Sequence, residues 1–200
     1  MFYEVAAGHG LPHDPVKALV APRPIGWISA LSAEGAVNLA PYSFFNQICD
    51  KPHMVMFSSA GRKDAISFIE ETGEFVCSIA SWDQRDQMNA TSAPLPRGES
   101  EFAYAGLEMA PSVLVRPPRV AGAPAALECR YVRTIDLEPL DGAPTTYFMV
   151  IGQVVGVHID DRVIKDGLVD TTEMRIITRA GYHDYFRADT KFAIKRPTKV

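Results

Sequence analysis

The segment Asn38-Leu-Ala-Pro-Tyr-Ser-Phe-Phe-Asn46 carries more information about this chain than any other part of it. It follows a hairpin signal at Ala33-Glu34-Gly35 and combines amides, a hydroxyl, a proline and aromatic rings. Because proline interrupts a β ladder, and Asn and Ser favour local hydrogen bonds, we predict irregular structure here rather than a strand or a helix. An aromatic segment with many backbone donors suits a flat heteroaromatic ring with polar edges, such as a flavin. A buried loop whose rings only fill the core would have the same composition.

A second segment, from Met54 to Asp64, has the composition of an apolar strand followed by a small polar turn. We predict that Asp64 caps a helix over Ala65–Thr72 and that Gly73 ends it. Hydroxyls, cations and a helix N-terminus together attract a phosphate group. An ordinary solvated basic turn is the alternative, and the glycine spacing is not that of a Walker loop. The predicted phosphate-binding residues are Ser58, Ser59, Arg62 and Lys63.

Composition indicates a globular protein, with 200 residues, 47% hydrophobic and 22% charged residues. A chain of this size buries roughly 70% of its unfolded surface as one domain. We therefore expect a single domain over residues 1–200, with a core at about 12–185 and a tail at 186–200.

Several classes of function are excluded by the sequence. No apolar run reaches the ~18 residues of a membrane helix, and the N-terminus lacks a signal peptide, so we expect a cytoplasmic protein without a membrane partner. The net charge of −4 argues against nucleic acid as a partner. Cys49, Cys77 and Cys129 are far apart, and Gly10 and Pro12 interrupt the His9–His13 pair. We therefore expect free thiols and no metal site.

Periodicity predicts a chain with more strands than helices. Because strands this frequent have few crossover helices between them, an antiparallel barrel is favoured over a doubly wound sheet. The stretch from Pro94 to Ala105 is aperiodic, which is typical of a long loop that covers a site or a partner subunit. Strands are predicted at Ile25–Leu31, Met54–Ser58, Glu74–Ala80, Ala126–Ile135, Thr145–His158 and Arg175–Thr178. Helical segments are predicted at Pro15–Val20, Ala65–Thr72, Trp82–Thr91 and, as a short turn, Ala110–Val113.

The order of the motifs resembles that of the flavin reductase-like family of FMN-binding split barrels, especially its branch with flavoredoxin and the reductases of two-component monooxygenases. The motifs are Pro22-Arg-Pro-Ile-Gly-Trp-Ile-Ser, Asn38 to Asn46, Arg62-Lys-Asp, Glu101-Phe, Leu127-Glu-Cys and Ile151-Gly-Gln-Val. The resemblance implies a mainly β, six-stranded antiparallel split barrel with a Greek-key core and a few added helices. It also implies a homodimer that binds FMN near its interface.

The same resemblance implies which residues form the site. Ala40 to Asn46 would supply amides to the pyrimidine edge of the ring, with Trp27 or Phe45 packed close by. His183 is the candidate catalytic residue, for contact with nicotinamide or flavin. The implied cofactor-binding residues are Trp27, Ala40, Pro41, Tyr42, Ser43, Phe45, Asn46, Ser58, Ser59, Arg62, Lys63 and Asp64.

The chain departs from the family pattern at three positions. Ala65 and Ser67 stand where the family has Thr and Asn, so one hydroxyl is lost and one amide is shortened. Tyr182 stands where the family often has the second glycine of an Arg-x-Gly-Gly motif. Its ring would narrow the approach to the flavin face, or would pack at the dimer seam.

The function implied is that of an FMN reductase, which transfers a hydride from NADH or NADPH to flavin and supplies reduced flavin to a partner monooxygenase. An electron-transfer protein that retains its FMN, as flavoredoxin does, is the first alternative. A non-catalytic FMN- or haem-binding module is the second. The sequence does not distinguish NADH from NADPH.

Overall fold

The computed structural model of the protein describes residues 1–198, so the last two residues of the predicted tail lie outside the described chain. The strands are β1 (Arg23–Pro24), β2 (Gly26–Leu31), β3 (Val37–Tyr42), β4 (Phe45–Cys49), β5 (Met54–Ala60), β6 (Glu74–Ile79), β7 (Met109–Ala110), β8 (Arg119–Val120), β9 (Ala125–Asp136), β10 (Tyr147–Ile159), β11 (Ile164–Lys165), β12 (Leu168–Val169), β13 (Ile177–Arg179) and β14 (Tyr185–Arg187). The helices are α1 (Val16–Leu19), α2 (Asp64–Thr72), α3 (Arg85–Ala90) and α4 (Glu101–Tyr104), with 3-10 turns at Val5–Ala7, Trp82–Gln84 and Asp161–Val163.

The central sheet has seven antiparallel strands in the order β3-β2-β6-β9-β10-β5-β4. The prediction of six strands is therefore wrong, and within residues 1–198 the edge strands β3 and β4 do not pair to close a barrel. The chain passes from β3, at one edge, to β4, at the other, through only Ser43 and Phe44. Because so short a bend joins opposite edges, the sheet has to curl until those edges approach, which gives a split-barrel-like fold.

The prediction of irregular structure over Asn38–Asn46 is wrong, because most of this segment lies in the two edge strands. An edge strand needs no ladder hydrogen bond on its outer side, so β3 tolerates Pro41. The outward N–H of Leu39 donates to Glu101 Oε2 at 2.9 Å, and the Asn38 amide donates to Glu101 Oε1 at 2.9 Å. The proline and the buried carboxylate of α4 together protect this edge from pairing with another chain.

Helix α2 packs its apolar face into the main core. Its Ile66 and Ile69 are fully buried in a cluster with Phe57 and Phe75. Gly73 ends the helix in the left-handed region at φ 74°, and its N–H donates to Ile69 O at 2.8 Å, as predicted. The predicted cap is displaced by one residue.

Helix α2 begins one residue earlier than predicted. Lys63, with extended backbone, is the N-cap, and its carbonyl accepts from Ser67 N at 3.1 Å. Asp64 is therefore the first helical residue, and no side chain caps the helix.

Alternation along Ala126–Ile135 puts Glu128, Arg130 and Arg133 on one face of β9 and predicts that this face is solvated. For Glu128 that prediction is wrong. Glu128 is completely buried, and its carboxylate accepts from the amides of Val113 (2.7 Å) and Leu114 (2.6 Å) and pairs with His158 Nε2 at 2.5 Å. A charged side chain is buried here because it satisfies the backbone donors of the neighbouring irregular segment. The result is a fixed path for the chain between β7 and β8.

The six predicted strands are all present, although Arg175–Thr178 is displaced to β13. The predicted helix Trp82–Thr91 begins as a 3-10 turn before α3, and the helical turn predicted at Ala110–Val113 is wrong because β7 begins at Met109. Cys49, Cys77 and Cys129 are free thiols, of which Cys49 is only partly buried. In the described part of the chain, no helix is long and apolar enough to cross a membrane.

Candidate functional site

A cavity of about 530 Å3 opens where three parts of the chain meet. The β3–β4 bend forms one part, the end of β5 with the start of α2 forms the second, and the β1–β13 strand pair forms the third. Ligand pockets typically have volumes of about 300–1,000 Å3, so this cavity has the size of a binding site for a small organic molecule.

The β3–β4 bend presents polar backbone to the cavity. Pro41, Tyr42, Ser43 and Phe44 all line it. The carbonyl of Phe44 accepts from Ser58 N at 2.8 Å, whereas the N–H groups of Ser43 and Phe44 have no backbone acceptor within residues 1–198. Unpaired amide groups in a concave site are donors for a ligand.

Hydroxyls and a cation meet at the end of β5. Ser58, Ser59 and Lys63 line the cavity. Ser59 Oγ donates to Gly61 O at 3.0 Å, while the buried Ser58 Oγ has no hydrogen-bond partner. Lys63 is exposed at the N-terminus of α2 and has no carboxylate within 4.0 Å among the described residues. This end of the cavity is therefore suited to an anion.

The phenol of Tyr42 remains protonated at neutral pH. Its ring packs against Phe57 with centroids 4.6 Å apart, and burial raises the pKa of Tyr42 to about 12. The neighbouring Ser59 hydroxyl lowers the pKa of Tyr42, whereas the carboxylates of Glu101 and Asp64 raise it further. The Tyr42 hydroxyl is therefore neutral and buried, without a hydrogen-bond partner among residues 1–198.

Arg62 lies outside the lining of the cavity, although it is adjacent to Lys63 in the sequence. Its guanidinium pairs with Glu70 at 2.6 Å and with Asp136 at 3.5 Å, and lies 4.5 Å from the centre of the Phe148 ring. The hydrogen bond that Arg62 donates to the Glu70 carboxylate raises the pKa of Arg62. Of the two predicted phosphate-binding cations, the structure places only Lys63 at the cavity.

The remaining predicted site residues lie in other surroundings. Trp27 is fully buried, and its indole N–H donates to Thr91 Oγ1 at 2.9 Å. Phe45 is buried against Gly26, and together with Asn46 it lines a separate cavity of about 500 Å3. These residues do not line the cavity at Lys63.

Two further cavities contain the other predicted residues. Ala40 and Asp64 line a cavity of about 400 Å3, which shares Tyr42 and Lys63 with the first and is covered by the segment 92–101. The stretch from Pro94 thus lies over a cavity, and that it covers a functional site or a partner subunit stays a prediction. His183 lines a different cavity of about 480 Å3.

Sequence reasoning missed the cations at the third part of the cavity. Lys17 of α1, Arg23 of β1 and Arg179 of β13 line it. Both arginines stand in motifs of the family pattern, Pro22-Arg-Pro and Arg-x-Gly-Gly, but nothing local in the sequence shows that the two motifs meet. Tyr182 also lines the cavity, with φ of 53°, which few residues other than glycine adopt. The glycine of the family pattern would be unstrained at this position, so this departure was the available signal.

Comparisons with known proteins agree with this architecture. The family model described as "Flavin reductase like domain" matches residues 19–177. An uncharacterized protein of Halalkalibacterium halodurans, BH2278, is 35% identical over 185 residues, which cover 90% of this chain and 88% of that protein.

Solved structures show the same relationship. Nitrilotriacetate monooxygenase component B from Bacillus cereus superposes with a TM-score of 0.86 at 30% identity, covering 97% of this chain and 98% of that one. Flavoredoxin of Desulfovibrio vulgaris has a TM-score of 0.79 at 21% identity, covering 94% and 96% of the two chains, and shares the fold. The matched family model, the relatives and the split-barrel-like sheet lead to one conclusion: this chain belongs to the flavin reductase-like family.

Proposed function

We propose that the protein is an FMN-dependent flavin reductase, which takes a hydride from NADH or NADPH and passes reduced flavin to a partner monooxygenase. The observation that carries the proposal is the cavity itself. It brings Pro41 and Tyr42 of β3 together with Ser59 of β5 and Lys63, although β3 is at one edge of the sheet and β5 is second from the other edge.

The residues present fit FMN on two counts. The unpaired N–H groups of Ser43 and Phe44 match the acceptor oxygens and nitrogens at the edge of an isoalloxazine ring. A phosphate would find three suitable groups at the other end of the cavity: the Ser58 hydroxyl, which has no partner among residues 1–198, the Lys63 ammonium and the N-terminus of α2. Arg62 would contribute to that phosphate only by leaving its pairs with Glu70 and Asp136.

Bound FMN would supply the electron-accepting ring, and the protein would supply binding and orientation. Backbone donors on the bend hold the ring edge and stabilise negative charge there. Tyr42 keeps its proton, since burial raises its pKa to about 12, so it acts as a neutral wall and not as a base. Tyr182 and Tyr185 also line the cavity, and the nicotinamide donor would lie beside them.

The proposed partners follow from the relatives and from the surface. Nitrilotriacetate monooxygenase component B is, by its name, one component of a larger oxygenase, which supports an oxygenase as acceptor. Exposed apolar side chains at Phe44, Ile48 and Val157 support a homodimer, and Phe44 also lines the cavity. We place the protein in the cytoplasm and treat residues 1–200 as one domain.

The deciding experiment is an anaerobic visible spectrum of the protein with FMN, recorded before and after NADH and then NADPH. Bleaching much faster than in a protein-free control supports the reductase and identifies its donor. A perturbed flavin spectrum that neither nucleotide bleaches contradicts the reductase and supports an electron carrier that retains FMN. An unperturbed flavin spectrum contradicts both.

A further inference from the structure

Two arginines lie directly opposite each other at one end of the cavity. Arg23 of β1 and Arg179 of β13 are register partners in the three-stranded sheet. Directly opposed side chains on antiparallel strands lie roughly 4.5–5.5 Å apart at Cβ, and like charges in this position destabilise the pair. Both residues line the cavity, and the charge of Arg179 adds to burial in lowering the pKa of Arg23.

Neither guanidinium forms an ion pair with a carboxylate in the described chain. Arg23 is buried and donates to the carbonyl oxygens of Lys17, Val20 and Ala180, the last at 2.8 Å. Its Nε has no hydrogen-bond partner among residues 1–198.

Arg179 likewise contacts only neutral groups. It donates to the carbonyl oxygen of Tyr182 and to the hydroxyl of Tyr185, and its guanidinium lies 4.5 Å from the centre of the Tyr185 ring. Within residues 1–198, no carboxylate lies within 4.0 Å of either arginine. Carbonyl and hydroxyl dipoles hold these cations in place without compensating their charge.

The cavity as a whole carries more positive charge than a flavin phosphate uses. Its lining has four cations, Lys17, Arg23, Lys63 and Arg179, and one carboxylate, Asp14. Lys63 lies with Ser58 and Ser59, at the end we propose for the phosphate. The Arg23–Arg179 pair belongs to a different part of the lining, on the β1–β13 strands.

We propose that the Arg23–Arg179 pair is a second oxyanion subsite of this cavity, which binds a carboxylate or phosphate group of the molecule that exchanges electrons with the flavin. The role of that molecule rests on the proposed function, whereas the subsite itself does not. Arg179 is the contact residue, since it is partly exposed and its planar fork matches an oxyanion in bidentate geometry. Arg23, which is nearly fully buried, adds fixed positive potential.

The neighbouring backbone supports a binding role for this end of the cavity. Tyr182 has φ of 53°, a strained conformation for a bulky residue, and its carbonyl accepts from Arg179. Its ring is half exposed and lines the same cavity. The strained turn therefore places an aromatic surface next to the arginine pair, where an aromatic or nicotinamide ring attached to the anion would lie.

The test compares Arg179→Gln with Arg187→Gln in the flavin-loaded protein. Arg187 lies on the next strand of the same sheet but pairs with Asp189, at 2.8 Å from its Nε, and does not line this cavity. Calorimetry measures the affinity for two probe anions, inorganic pyrophosphate and benzoate. Fluorescence quenching measures the affinity for FMN and for riboflavin, and circular dichroism checks the fold.

We expect Arg179→Gln to weaken one probe about tenfold to a hundredfold, as the loss of a charge-assisted hydrogen bond predicts. Arg187→Gln should leave that probe unchanged, and neither variant should change the affinity for FMN. A loss confined to pyrophosphate identifies a phosphate of a dinucleotide donor, and a loss confined to benzoate identifies a carboxylate-bearing acceptor. Arg179→Lys, which keeps the charge without the fork, should give an intermediate loss.

Three results would overturn the proposal. One is that neither probe binds the wild-type protein. Another is that both probes bind Arg179→Gln as tightly as the wild type. The third is that Arg179→Gln weakens the binding of FMN but not that of riboflavin, because the Arg23–Arg179 pair would then hold the flavin phosphate itself. If the protein binds no flavin while probe binding still depends on Arg179, the proposed function fails and the subsite stands.

Discussion

Lys63 and Arg62 are adjacent cations with different surroundings, and exchanging each for glutamine separates a ligand contact from a structural ion pair. Lys63 lines the cavity and has no carboxylate partner in the described chain, whereas Arg62 lies outside it and pairs with Glu70 at 2.6 Å. Lys63→Gln should therefore weaken FMN binding, and Arg62→Gln should not. Each variant serves as the control for the other, since both remove one positive charge from the same turn.

The magnitudes follow from the exposure of the two side chains. A charge-assisted hydrogen bond contributes about 1.5–3 kcal/mol. Because Lys63 is exposed and its charge is screened, we expect the lower end of that range, an FMN dissociation constant about tenfold higher. The Arg62 side chain is 46% exposed, so its ion pair with Glu70 contributes at most about 1 kcal/mol to the free energy of unfolding.

The assay is fluorescence titration of both variants and the wild type with FMN and with riboflavin, which lacks the phosphate. Lys63→Gln should bind riboflavin as the wild type does, and urea unfolding should show a small loss of stability for Arg62→Gln only. Equal losses of affinity for FMN and for riboflavin would contradict the assignment of this turn to the phosphate. A loss of FMN affinity in Arg62→Gln as large as that in Lys63→Gln would show that Arg62 leaves Glu70 to bind the ligand.

Other predictions concern the core, the assembly and the ligand. Burial by itself would raise the pKa of Glu128, but hydrogen bonds from His158 and from backbone amides hold it below the ordinary value of 4.5. The ionised Glu128 carboxylate therefore stabilises the folded protein above that value, and this stabilisation is lost as the pH falls through the lowered pKa. Urea unfolding should show Glu128→Gln less stable than the wild type by about 1.5–3 kcal/mol at neutral pH, with a smaller difference in acid. A difference that does not change with pH would contradict this. Gly152→Ala would place its Cβ 2.3 Å from Phe75 Cζ, and should cost about 1–3 kcal/mol in the free energy of unfolding; an unchanged unfolding midpoint would show that the Phe75 ring moves freely. Sedimentation should show a homodimer, and a monomer at micromolar concentration would argue against a site beside an interface. FMN at about 100 times its dissociation constant should add about 2.7 kcal/mol of stability, seen as a higher Tm that riboflavin matches only at higher concentration.

The sequence was most reliable where a single local interaction decides the structure. Gly73 ends α2 because only glycine adopts its left-handed backbone without strain, and the cap and stop signals at Asp64 and Gly73 predicted that helix to within one residue. The strands β2, β5, β6, β9 and β10 were predicted from strand-like runs. Strand β5 alternates between buried and less buried residues, whereas β2 and β6 are buried along almost their whole length. The family resemblance, carried by ordered motifs, was confirmed by the matched model over residues 19–177.

Reasoning from local sequence failed where contacts with residues distant in the chain determine the structure. Pro41 lies in a strand because β3 is at an edge and Glu101 accepts from Leu39 there, and no local rule places a carboxylate from a residue so far along the chain. Glu128 was expected on a solvated face, yet it is buried because the amides of a distant loop need an acceptor. In both cases a charged side chain satisfies backbone donors that belong to another segment.

The amino-acid order alone therefore establishes the family, the mainly β class and the two segments that meet at the cavity, because these depend on local composition and spacing. Which cation faces the cavity depends on the fold. Arg62 and Lys63 are equivalent in the sequence, and only the packing of β5 and α2 places Glu70 beside one of them. The arginine pair arises in the same way, since residues 23 and 179 meet only when the two ends of the chain form adjacent strands of one sheet.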